Sequence, residues 1–224
     1  MPHSGKIVGM ITMKFRVVQS RLEMVEQLEA VQRASFPTLA DEEIITAEQY
    51  AAHIQRFPEG QLAVLNADNQ VVACSTDFRT TVDFDHFEHR YIDAVDGNWL
   101  GNHNPEGDWL YGADIGVLPT FRGNGLSTLL YNARHNLIRK LNLRGHVAGG
   151  YLAGYGKVRL EMPVELYVQK VIAKEIFDPT LSIQLRRGFH VHGIIQNYVN
   201  DPLCDNKAAF IVWRNPDFNN NLDA

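Results

Sequence analysis

The stretch from Asp114 to Tyr131, DIGVLPTFRGNGLSTLLY, constrains this chain more than any other. The apolar run from Trp109 to Val117 reads as a strand, Leu118-Pro119 as a sharp turn, and Arg122 to Gly125 as a loop built on two glycines. Leu126, Leu129, Leu130, Ala133 and Leu137 then recur at the i, i+3, i+4, i+7 spacing of an amphipathic helix. Glycines between a strand and a helix let backbone N–H groups point into open space. There the unsatisfied donors of a helix N-terminus can bind a phosphate. Residue counting excludes two familiar phosphate loops. A P-loop carries Lys-Ser or Lys-Thr directly after its last glycine, whereas Leu126-Ser127 follows Gly125. A dinucleotide loop of the form G-x-G-x-x-G needs its third glycine at the position of Thr128.

What remains is V-x-P-x-x-R-G-x-G followed by a small residue two positions on, set on a strand–loop–helix. It resembles the acyl-CoA-binding motif of the GNAT superfamily of N-acetyltransferases, carried here by Val117, Pro119, Arg122, Gly123, Asn124, Gly125, Leu126 and Ser127. Ser127 stands where Gly or Ala is usual. The resemblance implies an α/β (α+β) fold: a central mixed, mostly antiparallel, twisted sheet of about six to seven strands, flanked by helices. Acyl-CoA would bind at the splay of the central strands. Val117, Leu118 and their neighbours would offer backbone groups to the pantetheine arm and thioester. Gly123, Asn124, Gly125, Leu126 and Ser127 would hold the pyrophosphate, with Arg122 adding charge. The bland alternative is a tight strand-to-helix turn that uses glycine only for backbone freedom and leaves Arg122 solvated.

Composition removes other classes. The 224 residues suffice for one sizeable core, and 45% hydrophobic with 21% charged residues is ordinary for a soluble globular domain. With a formal net charge of -5 and no Lys/Arg run, nucleic-acid binding through a basic patch is disfavoured. No apolar stretch approaches the length of a membrane span, and Lys6, Gly5, Gly9 and Lys14 interrupt the apolar N-terminus, so a cytoplasmic protein is expected. Two cysteines, Cys74 and Cys204, make no disulfide framework.

In chain order, residues 1–12 read as a disordered tail, with Met13 an alternative start, and 13–214 as a single domain. Lys14 to Val18 reads as a strand; Ser20/Glu23 and Thr46/Gln49 read as capping boxes that open two helices. Gln61–Leu65 and Val71–Phe78 are strands, and the polar segment between Thr80 and Gly107 is a long connection with room for short helices. His146 to Leu152 is a further strand. Pro163 starts a helix, Asp178-Pro179 opens a short one closed by Gly188, and Phe189–Val199 and Ala208–Trp213 form a terminal strand pair. Residues 215–224 read as a polar tail. The segment before Asp178 is longer than in minimal family members and looks like a subgroup sometimes joined to carbon–nitrogen hydrolase domains.

The family resemblance implies acetyl-CoA as co-substrate, a small-molecule or peptide amine as acceptor, no metal, no nucleic acid and no membrane. Homodimers are common among its members. Attack on a thioester needs the reactants held in register, a donor for the developing oxyanion, and removal of a proton from the amine. Asp114, three residues before Val117 on the central strand, is the candidate base; its alternative is a hydrogen-bonding or cation-binding carboxylate. Many members place a tyrosine four residues before the Gly of R-R-G-F as the acid on the leaving thiolate. Here Gln184 occupies that position, with Tyr155 as a substitute acid; Tyr111, on the strand of Asp114, has a claim similar to that carboxylate's, and each tyrosine is also readable as a core residue. His86-x-x-His89 has helical ligand spacing but no third ligand, and Cys74 reads as a core thiol. A CoA-binding module without catalysis, or transfer of a longer acyl chain, remain as alternatives.

Overall fold

The computed structural model describes residues 14–220, so the expectations for the first twelve residues and for Met13 lie outside it. The chain runs β1 (Phe15–Gln19), α1 (Val25–Ser35), α2 (Ala47–Arg56), β2 (Gln61–Asn66), β3 (Val71–Thr80), α3 (Tyr91–Ala94), β4 (Trp109–Val117) and α4 (Leu126–Lys140). It continues β5 (Gly145–Tyr151), α5 (Val164–Ile172), α6 (Leu181–Arg186), β6 (His190–Ile195) and β7 (Ala208–Arg214). The seven strands form one sheet in the order β1-β2-β3-β4-β5-β7-β6. Every neighbouring pair is antiparallel except β4 and β5, which run parallel and pair only from Trp109–Tyr111 to Gly145–Val147. β2, β3 and β7 are buried along nearly their whole length, β3 burying Ser75, Thr76 and Asp77 as well as its apolar residues.

Several local expectations hold. Thr46 Oγ1 accepts the Gln49 amide at 3.3 Å and Gln49 Oε1 accepts the Thr46 amide at 2.9 Å, so α2 begins at a complete capping box. Asp178 Oδ1 accepts the amides of Thr180 and Leu181, both at 2.8 Å, and opens α6. The long connection after β3 contains the short helix α3, and its Phe84 and Phe87 pack on Trp109 and Phe210.

Others do not. The Ser20/Glu23 box is absent: the Ser20 amide donates to the Gln61 carbonyl at 2.8 Å, extending the sheet, and a 3-10 turn with no side-chain cap leads into α1. Pro163 precedes α5 in extended conformation and does not form its first turn. The start of the expected C-terminal tail is packed, with Asn215 Nδ2 donating to the Leu143 carbonyl at 2.9 Å and Arg139 pairing with Asp217 at 2.8 Å. The buried stripe of α4 is also rotated from the leucine stripe. Leu126, Leu130, Tyr131, Arg134, His135 and Ile138 are buried, while Leu129, Ala133 and Leu137 are half-buried.

That rotation brings an arginine into the core. Arg134 Nε donates to Asp77 Oδ2 at 2.9 Å, and its guanidinium also donates to the carbonyls of Thr76, at 3.2 Å, and Asp114. Both side chains of the ion pair are essentially inaccessible to solvent. The carbonyls lie at a β-bulge: Thr76 faces Asp114 and Asp77 faces Gly112, leaving Ala113 as the extra residue of β4. Removing one partner of such a pair strands the other charge in low dielectric. Asp77→Ala should therefore lower unfolding free energy by roughly 3–5 kcal/mol in urea titrations, against about 1 kcal/mol for loss of the Thr46 cap in Thr46→Ala.

Candidate active site

The site forms where the sheet parts. Beyond Tyr111 and Val147 no ladder joins β4 to β5, and a cleft passes between them from one face of the sheet to the other. Tyr131, Arg134, His146, Gln184 and Phe189 line it on the α4 side; Phe36, Leu39, Asp114, Tyr151 and Tyr198 line it on the side of α1. A strand edge without a partner keeps free N–H and C=O groups, which here face the cleft. Arg134, from α4, donates to the Asp114 carbonyl at the β3–β4 bulge beside this opening.

At the end of β4 the chain enters the glycine loop. Gly123 and Gly125 have φ of 79° and 75°, the left-handed region that side chains rarely adopt, and a Cβ on either would meet nothing within 4 Å. These glycines therefore serve backbone direction, and the space above them is open. Among the described residues the amides of Gly123, Asn124 and Gly125 have no acceptor, and no side chain caps the first turn of α4. Open amides at the positive end of a fifteen-residue helix form an anion cradle. The donor set suits a pyrophosphate. Leu126 is buried beneath this turn and Ser127 is half-buried beside it. Arg122 bends back, donating from Nε to the Val117 carbonyl at 3.4 Å and from its terminal nitrogen to the Ser35 carbonyl at 3.2 Å, which ties the loop to the end of α1. The Leu118 amide is held by the Val72 carbonyl at 3.0 Å.

Asp114 lies on the inner wall, 7% exposed. Tyr50, from α2, donates to its Oδ2 at 3.2 Å, and Cys74 Sγ lies 3.9 Å from the same oxygen. Burial raises the carboxyl to about 6, against the opposing pull of the Arg134 charge and the Tyr50 hydrogen bond. Cys74 is fully buried, and burial pushes its thiol well up, with the Asp114 charge adding to the effect.

The remaining sequence candidates separate. Tyr111 lies on β4 facing away from α4, with its hydroxyl 2.7 Å from His89 Nε2 and 3.0 Å from the Tyr198 hydroxyl. Tyr155 is in the core outside the cleft, donating to the Met162 carbonyl at 3.3 Å and packing on Tyr167. Gln184 lines the cleft, and its Nε2 donates to the Tyr131 hydroxyl at 3.2 Å. Gly150 makes room for it, since a Cβ there would lie 2.8 Å from Gln184 Oε1. His86 and His89 turn apart, the first to Asp83 at 2.9 Å and the second to Tyr111. Sequence reasoning missed Arg134, His146, Tyr131 and Tyr198. The available signals were an arginine within four residues of Leu130 on an otherwise apolar face, and charged Asp77 inside a buried strand.

Among the described residues no helix is long and apolar enough to cross a membrane. No family model matches the chain. Two Bacillus subtilis (strain 168) proteins are similar in sequence. One, named as a probable hydrolase, YhcX, is 32% identical over 197 residues; the match takes in 87% of this chain but spans only 37% of that protein's length. The other, named as an uncharacterized N-acetyltransferase, YkwB, is 31% identical over 192 residues, covering 85% of this chain and 84% of its own. A solved structure of the GNAT-like decarboxylase GphF in complex with isobutyryl-CoA superposes with a TM-score of 0.71 at 17% identity, covering 89% of this chain and 98% of that one. The parted seven-stranded sheet and the likeness to an N-acetyltransferase over 85% of this chain agree: the chain belongs to the GNAT superfamily of acyltransferases.

Proposed function

We propose that the chain is an N-acetyltransferase that moves an acetyl group from acetyl-CoA to a primary amine by direct attack in a ternary complex. The observation that carries this reading is the pairing, along one strand and its following loop, of a buried carboxyl whose proton affinity burial raises with three open amides. In this reading the amides of Gly123 to Gly125 and the first turn of α4 hold the pyrophosphate. The thioester lies in the parting of β4 and β5, where unpaired β4 donors face its carbonyl oxygen and stabilise the oxyanion as it forms. The acceptor enters from the α1 side, and Asp114 removes a proton from the attacking nitrogen. A carboxyl near pH 6 is a competent base at neutrality and is reprotonated without a large barrier. The departing thiol has an ordinary pKa near 8.5, so its release needs only modest help. Gln184, an amide at the cleft's inner wall, favours as second reading an acyl-CoA-binding domain without turnover. The acyl chain length and the acceptor's identity belong to this proposal.

A thiol-release assay with acetyl-CoA against a panel of primary amines tests it. The wild-type kcat/KM should rise through about pH 6 and level above it, following ionisation of Asp114. Asp114→Asn should lose that limb and roughly 10²–10⁴-fold of activity. Release that is indifferent to the variant rejects Asp114 as base. Absence of release alongside a rise in melting temperature with acetyl-CoA selects the binding domain.

Asp114→Asn also has a stability signature that does not depend on turnover. Because the folded carboxyl sits at about 6, above its ordinary value, its ionisation opposes folding at pH above 6, and that penalty vanishes below the unfolded value of about 4. The variant should therefore be more stable than wild type by up to about 3 kcal/mol at pH 8, and equal to it at pH 3.5, by denaturant titration.

A further inference from the structure

An acceptor in the acetylation proposed above meets the cleft wall on the α1 side, and that wall is mostly apolar. Phe36 and Tyr151 stand edge to face there, with ring centroids 6.1 Å apart, and Leu39 lines the same side. Among the described residues Asp114 is the sole carboxyl group that lines the cleft, and Arg134 is the sole arginine or lysine. Arg134 lies on the α4 side and donates to Asp77 and to two backbone carbonyls.

Two further carboxylates stand behind this wall, and both are occupied. Asp201 is inaccessible to solvent. Thr38 Oγ1 donates to its pair of oxygens at 2.9 and 3.0 Å, the Tyr151 hydroxyl to Oδ2 at 2.6 Å and the Leu203 amide to Oδ1 at 2.8 Å. Glu43 is buried and takes the Asn200 amide on both oxygens, at 3.1 and 2.9 Å. Gln32 gives its side-chain oxygen to the Ile45 amide at 2.6 Å and keeps only N–H groups, which cannot accept from an ammonium. Tyr91 differs. It is 5% exposed and lines the cleft with Asp114, yet no described residue hydrogen-bonds its hydroxyl.

Resting on the acetylation reading, we infer that the acceptor is a monoamine with an apolar body, an alkylamine or aralkylamine. Its nitrogen sits against Asp114 and Tyr91, and its body lies on Phe36, Leu39 and Tyr151. A primary ammonium brings three N–H donors; the carboxylate and the free phenol oxygen accept two of them. The rest of the molecule then meets side chains that reward burial of carbon and have no charge to offer. The distal ammonium of a polyamine would lose its hydration against this wall without a carboxylate to replace it. The carboxylate of a free amino acid, next to the amine, would stand beside Asp114 with no cation on that side.

Two matched pairs of amines test this. Hexylamine and hexamethylenediamine share a chain and differ by a distal ammonium; phenethylamine and phenylalanine differ by a carboxylate. In the thiol-release assay with acetyl-CoA, the wild-type kcat/KM for the first of each pair should exceed that for the second by on the order of 10²-fold. Equal values within either pair, or preference for the more highly charged member, overturn the inference. Leu39→Asp puts a carboxylate into a half-buried position of the wall and should narrow the hexylamine preference over the diamine roughly tenfold, while phenethylamine still outruns phenylalanine. An unchanged diamine ratio in the folded variant overturns the placement of the body on Leu39. The acetylation reading fails separately, if wild type acetylates none of the four. Calorimetric titration of the CoA-saturated protein with the same four compounds then decides: tighter binding of the two monoamines without a second charge upholds the inference, and absence of that difference overturns it.

Discussion

The Arg134–Asp77 pair is the constraint on which the rest depends. A seven-stranded sheet that opens between its middle strands exposes backbone groups in its own core, where unpaired donors and acceptors are costly. The guanidinium answers this by reaching from α4 to Asp77 on β3 and to two carbonyls at the β-bulge. It fixes the helix above the parting, satisfies the Asp114 carbonyl and holds the bend that turns β4 away from β5. It also moderates the Asp114 carboxyl, whose elevation by burial would otherwise be larger. One cation thus sets both the geometry of the opening and the proton affinity of its carboxyl.

The fold was legible in the sequence because most of its strands hold short apolar stretches and its central loop is punctuated by Pro119, Gly123 and Gly125. Thr46 with Gln49, and Asp178 before α6, were legible because their capping chemistry is local. Ser20 misled because the same residue could extend a strand or cap a helix, and pairing with Gln61 settled the choice. The α4 stripe misled because leucine spacing does not reveal that a neighbouring face will bury an arginine against a carboxylate fifty-seven positions away. Asp114 could be singled out from its strand position. Tyr131, Tyr198 and His146 could not, since each joins the cleft only through a contact between elements distant in sequence.

The family relationship and the cleft answer different questions. Likeness to YkwB establishes the superfamily, while YhcX is much longer than the part this chain matches. Activity rests on the chemistry of individual side chains. Gln184 is the position most informative in this respect. Its amide and the Tyr131 phenol form a buried pair at the inner wall, so a hydroxyl is present there even though it comes from a different helix.

The short β4–β5 ladder has a consequence for folding. Strands β1 to β4 pair with their neighbours in sequence order, whereas β5, β7 and β6 close across a longer separation. Only three paired positions bridge the two groups, so the sheet has a seam that is held largely by side-chain packing across it. A ligand that binds across that seam adds to this packing and raises the cost of opening it. The feature that makes room for chemistry therefore also marks the line along which the domain would first come apart.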